Sequence, residues 1–179
     1  MKGVVFTEFL GMVEKQFSAD MVDVVIDDAQ LPHGGAYTTV GTYPHQEMVA
    51  MVVALSQHSG IAVTDLVRAF GEYLFGRFVI AFPSFFIGAS NAFHFLSGIE
   101  EIIHTDVLKL YPDAELPKFD VEHHDASKLV LLYHSPRHFE DLAEGLMRGC
   151  VAHFGEPIVI TREPAAHGDS HRFHLTRQD

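Results

Sequence analysis

Cysteine is nearly absent from this chain: Cys150 is the only one in 179 residues. A lone thiol excludes an internal disulfide and points to a reducing cytoplasm. Tryptophan is missing altogether, and cations are scarce, with 12 Lys and Arg against 24 Asp and Glu. The resulting formal charge of −12 disfavours nucleic acid and anionic membrane as partners. Long apolar runs are lacking too. The nearest, Phe78 to Phe93, is interrupted by Pro83, Gly88 and Asn91 and is shorter than the roughly 18 residues a membrane helix needs. The opening Met1-Lys2-Gly3-Val4-Val5-Phe6 soon meets Glu8 and shows no small-residue cleavage site, so no signal peptide is expected.

What the chain does contain is apolar and aromatic bulk, 47% hydrophobic with 15 Phe, together with 13 His. The length suits one domain with a sizeable core, and the histidines make the charge sensitive to pH near neutrality. Phe6, Phe9, Leu10, Val13 and Phe17 recur at helical spacing, and Met21, Val24 and Val25 predict a second, short helix. Turn chemistry at Leu31–Gly35 and Gly41–Pro44 precedes a helix from Gln46 to Gln57. The stripe Val63, Leu66, Val67, Phe70 and Leu74 predicts the next helix. Ile99, Ile102, Ile103, Val107 and Leu110 predict another, which carries His104 and stops at Tyr111-Pro112-Asp113.

The last third changes character. Strands are predicted over Lys118–His124, Leu129–Ser135, Pro157–Thr161 and His171–Leu175, with a helix over Phe139–Phe154 that Gly155 caps. The fold class is therefore α+β. A helical lobe of about residues 1–62 packs on an α+β lobe of about 63–179 with an antiparallel sheet, all in one domain.

Tyr133, Ser135 and Arg137 alternate at the end of the predicted strand, so all three should project from one face. Two hydroxyls and a guanidinium make a clamp for a carboxylate. Upstream, His104 sits among Ile103, Val107 and Leu108, an apolar setting for an imidazole. An apolar-helix histidine plus a carboxylate clamp is the pairing a haem needs. Taken separately, each has a plainer reading: a satisfied core histidine, and an edge strand with ordinary polar residues.

Together they resemble a known family. Met1-Lys2-Gly3, Phe82-Pro83-Ser84-Phe85-Phe86, His104 with Leu116-Pro117, Tyr133-x-Ser135-x-Arg137 and Glu144-Gly145-Leu146 match the haem nitric oxide/oxygen binding (H-NOX) domain, nearly end to end. That module is also the sensor of soluble guanylate cyclases. The resemblance implies a haem b between the lobes, with His104 as the iron ligand and Tyr133, Ser135 and Arg137 on the propionates. Pro117 would press on the porphyrin, a role a rigid ring suits; its plainer reading is a helix-to-strand breaker. Val5, Phe9, Leu74, Phe78, Leu142 and Leu146 would line the gas side. Oxygen-binding members carry a tyrosine where Leu142 stands here. Bound O₂ wants a hydrogen-bond donor and NO and CO far less, so the chain is expected to bind NO and CO and exclude O₂. Tyr43 and Tyr73 would alter this if a helix were rotated to bring one of them in.

In the family, NO weakens the iron–histidine bond, the histidine helix shifts, and the lobes rotate, which is a population shift rather than catalysis. The expected partner is a histidine kinase or a cyclic-di-GMP enzyme. Two further readings stand beside the sensor. One is a haem enzyme or carrier, although peroxidase chemistry would want a distal base and cation that the apolar lining lacks. The other is a non-haem metal protein built on His167, His171 and His174, where solvated surface histidines are the plainer reading. His123, His124, His134, His138 and His153 are read as surface or pH-tuning residues, and Cys150 as a small core residue.

Overall fold

In a computed structural model, which describes residues 1–166 and 168–178, the first four helices build one hydrophobic core. They are α1 (Gly3–Gln16), α2 (Ala19–Ala29), α3 (His45–Ser59) and α4 (Val63–Ala81). Their apolar stripes meet in a cluster of Phe6, Phe9, Val13, Met51, Leu55, Phe70 and Leu74, all at most 2% exposed. The ends follow local chemistry. The Ser18 hydroxyl accepts from Met21 N at 3.0 Å to start α2. Gly60, at φ +71°, ends α3 in the left-handed region that glycine tolerates best.

After a 3₁₀ turn at Pro83–Phe86 and the short α5 (Ala92–Ser97), the chain forms a π-helical turn, Ile99–His104, that runs directly into α6 (Thr105–Leu110). The predicted helix around His104 is thus present, but its first half is wound wider than an α-helix. Strands β1 (Lys118–His124), β2 (Lys128–His134), β3 (Ile158–Pro164) and β4 (Ser170–Arg177) pair antiparallel in the order β1-β2-β4-β3. Helix α7 (Glu140–Phe154) crosses from β2 to β3. Leu129, Leu131 and Tyr133 alternate along β2 and join Phe173 and Leu175 of β4 in a second core under α7. Helix α4 serves both cores, with Leu74 in the first and Phe75 in the second.

One expectation needs correction. Strand β2 ends at His134, not Ser135, and Arg137 lies in a turn in which His138 N donates to Ser135 O at 3.3 Å. Pro136 explains the break, because it has no N–H for a ladder and its φ is fixed. Strand alternation therefore accounts for Tyr133 but not for the direction of Arg137.

Candidate functional site

A cavity of about 820 Å³ opens between the two cores. Its walls come from α1, α4, α7, the segment from Ile99 to Phe119, and the end of β2 with its turn. His104, Pro117, Tyr133, Ser135, Arg137, Val5, Leu74, Phe78, Leu142 and Leu146 all line it. Phe9 does not: it is fully buried in the helical core, edge-on to Phe70 at 5.2 Å between ring centroids. Helical periodicity marks both faces of a stripe as apolar and cannot tell core from cavity wall.

His104 is held from outside the cavity. Its Nδ1 lies 3.1 Å from Glu100 Oε1, and the same oxygen accepts from Phe119 N at 2.7 Å. Burial lowers the imidazole pKa, opposed by the Glu100 carboxylate. A neutral ring is what a metal needs, since only the unprotonated nitrogen has a lone pair to give. Glu100 was legible in principle, because it stands four residues before His104, the spacing of neighbours on a helix face.

At the polar corner, Tyr133 and Ser135 are 2% and 5% exposed. Burial pushes the Tyr133 phenol up to about 12, so it keeps its proton and can donate. The Ser135 hydroxyl accepts from Arg137 N at 3.3 Å, and the Arg137 guanidinium pairs with the Glu115 carboxylate. His45 and the chain's first residue also line this corner. Burial lowers the His45 pKa, helped by the Arg137 guanidinium and the N-terminal ammonium. No motif spacing betrays either group.

Apolar side chains of Val5, Leu74, Phe78, Leu142 and Leu146 also line the cavity. The Tyr43 ring reaches the lining, but its hydroxyl accepts from Thr38 N at 2.9 Å in the loop. Tyr73 packs against the helical core and is not in the lining. At the rim, Lys2 Nζ bonds Asp113 at 3.2 Å and Thr42 at 2.8 Å, while the Thr42 hydroxyl donates to Asp113 at 2.7 Å. This cluster joins the start of the chain and the loop before α3 to the chain just beyond α6.

The C-terminal histidines are dispersed. His174 faces Glu163 at 3.2 Å, and His171 lies 4.0 Å from Glu140. His167 is outside the described residues. Among the described residues no three His, Cys, Asp or Glu side chains are placed to hold a metal. His123, His124, His134, His138 and His153 are exposed, and Cys150 is fully buried.

The Haem-NO-binding family model matches residues 2–162. The chain belongs to that family. Solved relatives agree along nearly their whole length. An unliganded Fe(II) H-NOX protein from K. algicida is 34% identical with a TM-score of 0.93, covering 100% of this chain and 97% of its own. The H-NOX from Shewanella woodyi, solved with IWP-051 and in the Fe(II)CO state, is 38% identical at TM-score 0.86, with 99% and 95% covered. An H-NOX protein from S. oneidensis in the Fe(II)NO state is 26% identical at TM-score 0.92, with both chains fully covered. No curated protein matches. This is a haem-binding gas-sensor domain of the H-NOX family, and its α+β fold is the family's. Among the described residues no single helix is long and apolar enough to cross a membrane.

The residues present fit a haem: an imidazole whose burial favours the neutral form and whose second nitrogen has no hydrogen bond among the described residues, apolar walls, and a corner with a phenol, a hydroxyl and a guanidinium.

Proposed function

We propose that this domain senses nitric oxide, and binds CO, at a ferrous haem b held by His104. The observation that carries the reading is one cavity holding His104 at one wall and Tyr133, Ser135 and Arg137 at a corner. The haem iron supplies the gas-binding position; the chain supplies the rest. His104 would offer Nε2 to the iron, Tyr133, Ser135 and Arg137 would hold the propionates, with Arg137 released from Glu115, and Pro117 would support the porphyrin. Val5, Leu74, Phe78, Leu142 and Leu146 give the gas side no donor, with Phe9 backing them, which favours NO and CO over O₂.

The output is conformational, with no catalysis by the domain itself. His104 is continuous with α6, and the chain beyond α6 is tied to the helical lobe through Asp113, Lys2 and Thr42. A displacement of the imidazole therefore reaches the other lobe, and the lobe arrangement is what a separate partner reads. A histidine kinase or a cyclic-di-GMP enzyme suits that role, in the cytoplasm.

The absorption spectrum of the purified ferrous protein tests this. A sharp haem band should move on adding NO or CO and stay unchanged in air. His104→Gly should lose the native spectrum and regain it with added imidazole. Absence of a haem band in the wild type, or an unchanged spectrum in the variant, would overturn the reading.

A further inference from the structure

An unassigned polar contact lies behind His104. Glu100 Oε1 is bonded twice, to His104 Nδ1 at 3.1 Å and to the backbone N–H of Phe119 at the start of β1, at 2.7 Å. Its own backbone is fixed too, because the Thr105 hydroxyl donates to Glu100 O at 3.3 Å across the π-helical turn. The carboxylate therefore links the imidazole to the sheet, so a movement of the ring away from β1 strains one of its two bonds. Glu101, its neighbour, is exposed.

We infer that Glu100 is a positioning residue for the iron ligand: it fixes the orientation of His104 through Nδ1 and sets how firmly Nε2 holds the metal. The inference rests on the haem reading of His104. An acceptor at Nδ1 keeps the ring proton on that nitrogen, which leaves the lone pair on Nε2. A carboxylate acceptor does more than a neutral one. It draws the Nδ1 proton outward, leaves more electron density on Nε2, and makes it a stronger donor to a metal. The same oxygen ties the ligand's orientation to β1, so a displacement of His104 relative to the sheet works against this pair of bonds. Glu100 thus sets the threshold at which the sensor lets its histidine go.

The haem-loaded full chain tests this in the wild type, Glu100→Gln and Glu100→Ala, with the iron–histidine stretching band read by resonance Raman in the ferrous unliganded state. The band should shift to lower frequency in Glu100→Gln and further in Glu100→Ala. The fraction of the NO complex that has lost His104 should rise in the same order. A purely structural role, through Phe119 N, would lower thermal stability yet leave the band in place; an unmoved band in the folded variants overturns the inference. If Glu100→Ala does not fold, Glu100→Gln carries the test alone. A wild type with no iron–histidine band, or a His104→Gly protein that keeps it, overturns the haem reading itself and the inference with it.

Discussion

A Cβ placed on Gly71 would lie 2.8 Å from the Cα of Gly145, so α4 and α7 cross with backbone against backbone. The contact is tight on both sides: a Cβ on Gly145 would meet Arg68 O at 2.1 Å, and one on Gly71 would meet Leu142 O at 2.6 Å. Leu146 follows Gly145 and Leu142 precedes it by three residues on α7, and both line the cavity, so this crossing sets the spacing of the wall. Replacing a mid-helix glycine by alanine ordinarily stabilises by up to about 1 kcal/mol. Here the overlap should reverse the sign, costing about 1–3 kcal/mol at each position. At roughly 2–4 °C per kcal/mol, Gly71→Ala and Gly145→Ala should lower Tm by several degrees. Gly76, on the same helix with nothing within 4 Å, is the control, and Gly76→Ala should hold or raise Tm. Equal effects at all three positions would refute the account.

Cys150 is fully exposed to reagents only after unfolding. It is 0% exposed, in the core between α7 and the sheet, and burial pushes its thiol well above the ordinary range. A thiol-reactive dye should leave the native protein unlabelled and add one equivalent in guanidinium. Rapid labelling of the native protein would show that the core opens locally or that the thiol is accessible.

How much of this was legible beforehand depends on which interaction places the residue. Phe6, Phe9, Leu66 and Phe70 announce their helices by periodicity, because burial on one face is a sequence-local demand. Likewise Leu129, Leu131 and Tyr133 announce β2. That Tyr133, Ser135 and Arg137 share one patch was readable, but its geometry was not: Pro136 ends the ladder, and Arg137 reaches the cavity from a turn. Phe9 illustrates the other limit, since a stripe shows that a side chain is apolar but not whether it faces core or cavity. Glu115, His45 and the Lys2–Asp113 pair are brought in by contacts between segments far apart in sequence. No local rule could have paired them.

Asp113 should reveal itself through pH. The Thr42 hydroxyl and then the Lys2 ammonium hold its carboxyl below the usual aspartate range. A depressed folded value means that the contact's contribution is present above the unfolded pKa of about 3.9 and is lost as pH falls through the lower folded value. The rim cluster should therefore be intact at neutral pH and at pH 5. A carbon-13 NMR titration of the Asp113 carboxyl should find its midpoint below the ordinary value, and Lys2→Ala should move it upward. A midpoint at the ordinary value in the wild type would mean that the cluster does not form in solution.

Leu142 gives the most direct test of gas selection. Its carbonyl is pinned against Gly71, and its side chain lines the cavity wall with Leu74, Phe78 and Leu146. None of these side chains carries a donor, and the Tyr43 hydroxyl is engaged at Thr38. Leu142→Tyr would add a phenol to that wall. A hydrogen bond to a charged partner contributes about 1.5–3 kcal/mol, roughly 10–100-fold in affinity, and bound O₂ carries partial negative charge where NO and CO carry far less. The ferrous Leu142→Tyr protein should show an oxygen complex in air that the wild type lacks, with CO binding changed much less. Leu142→Phe, matched in shape but without the hydroxyl, should behave like the wild type. An oxygen complex in both variants would assign the effect to shape, and one in neither, with CO binding retained, would remove Leu142 from the selecting position.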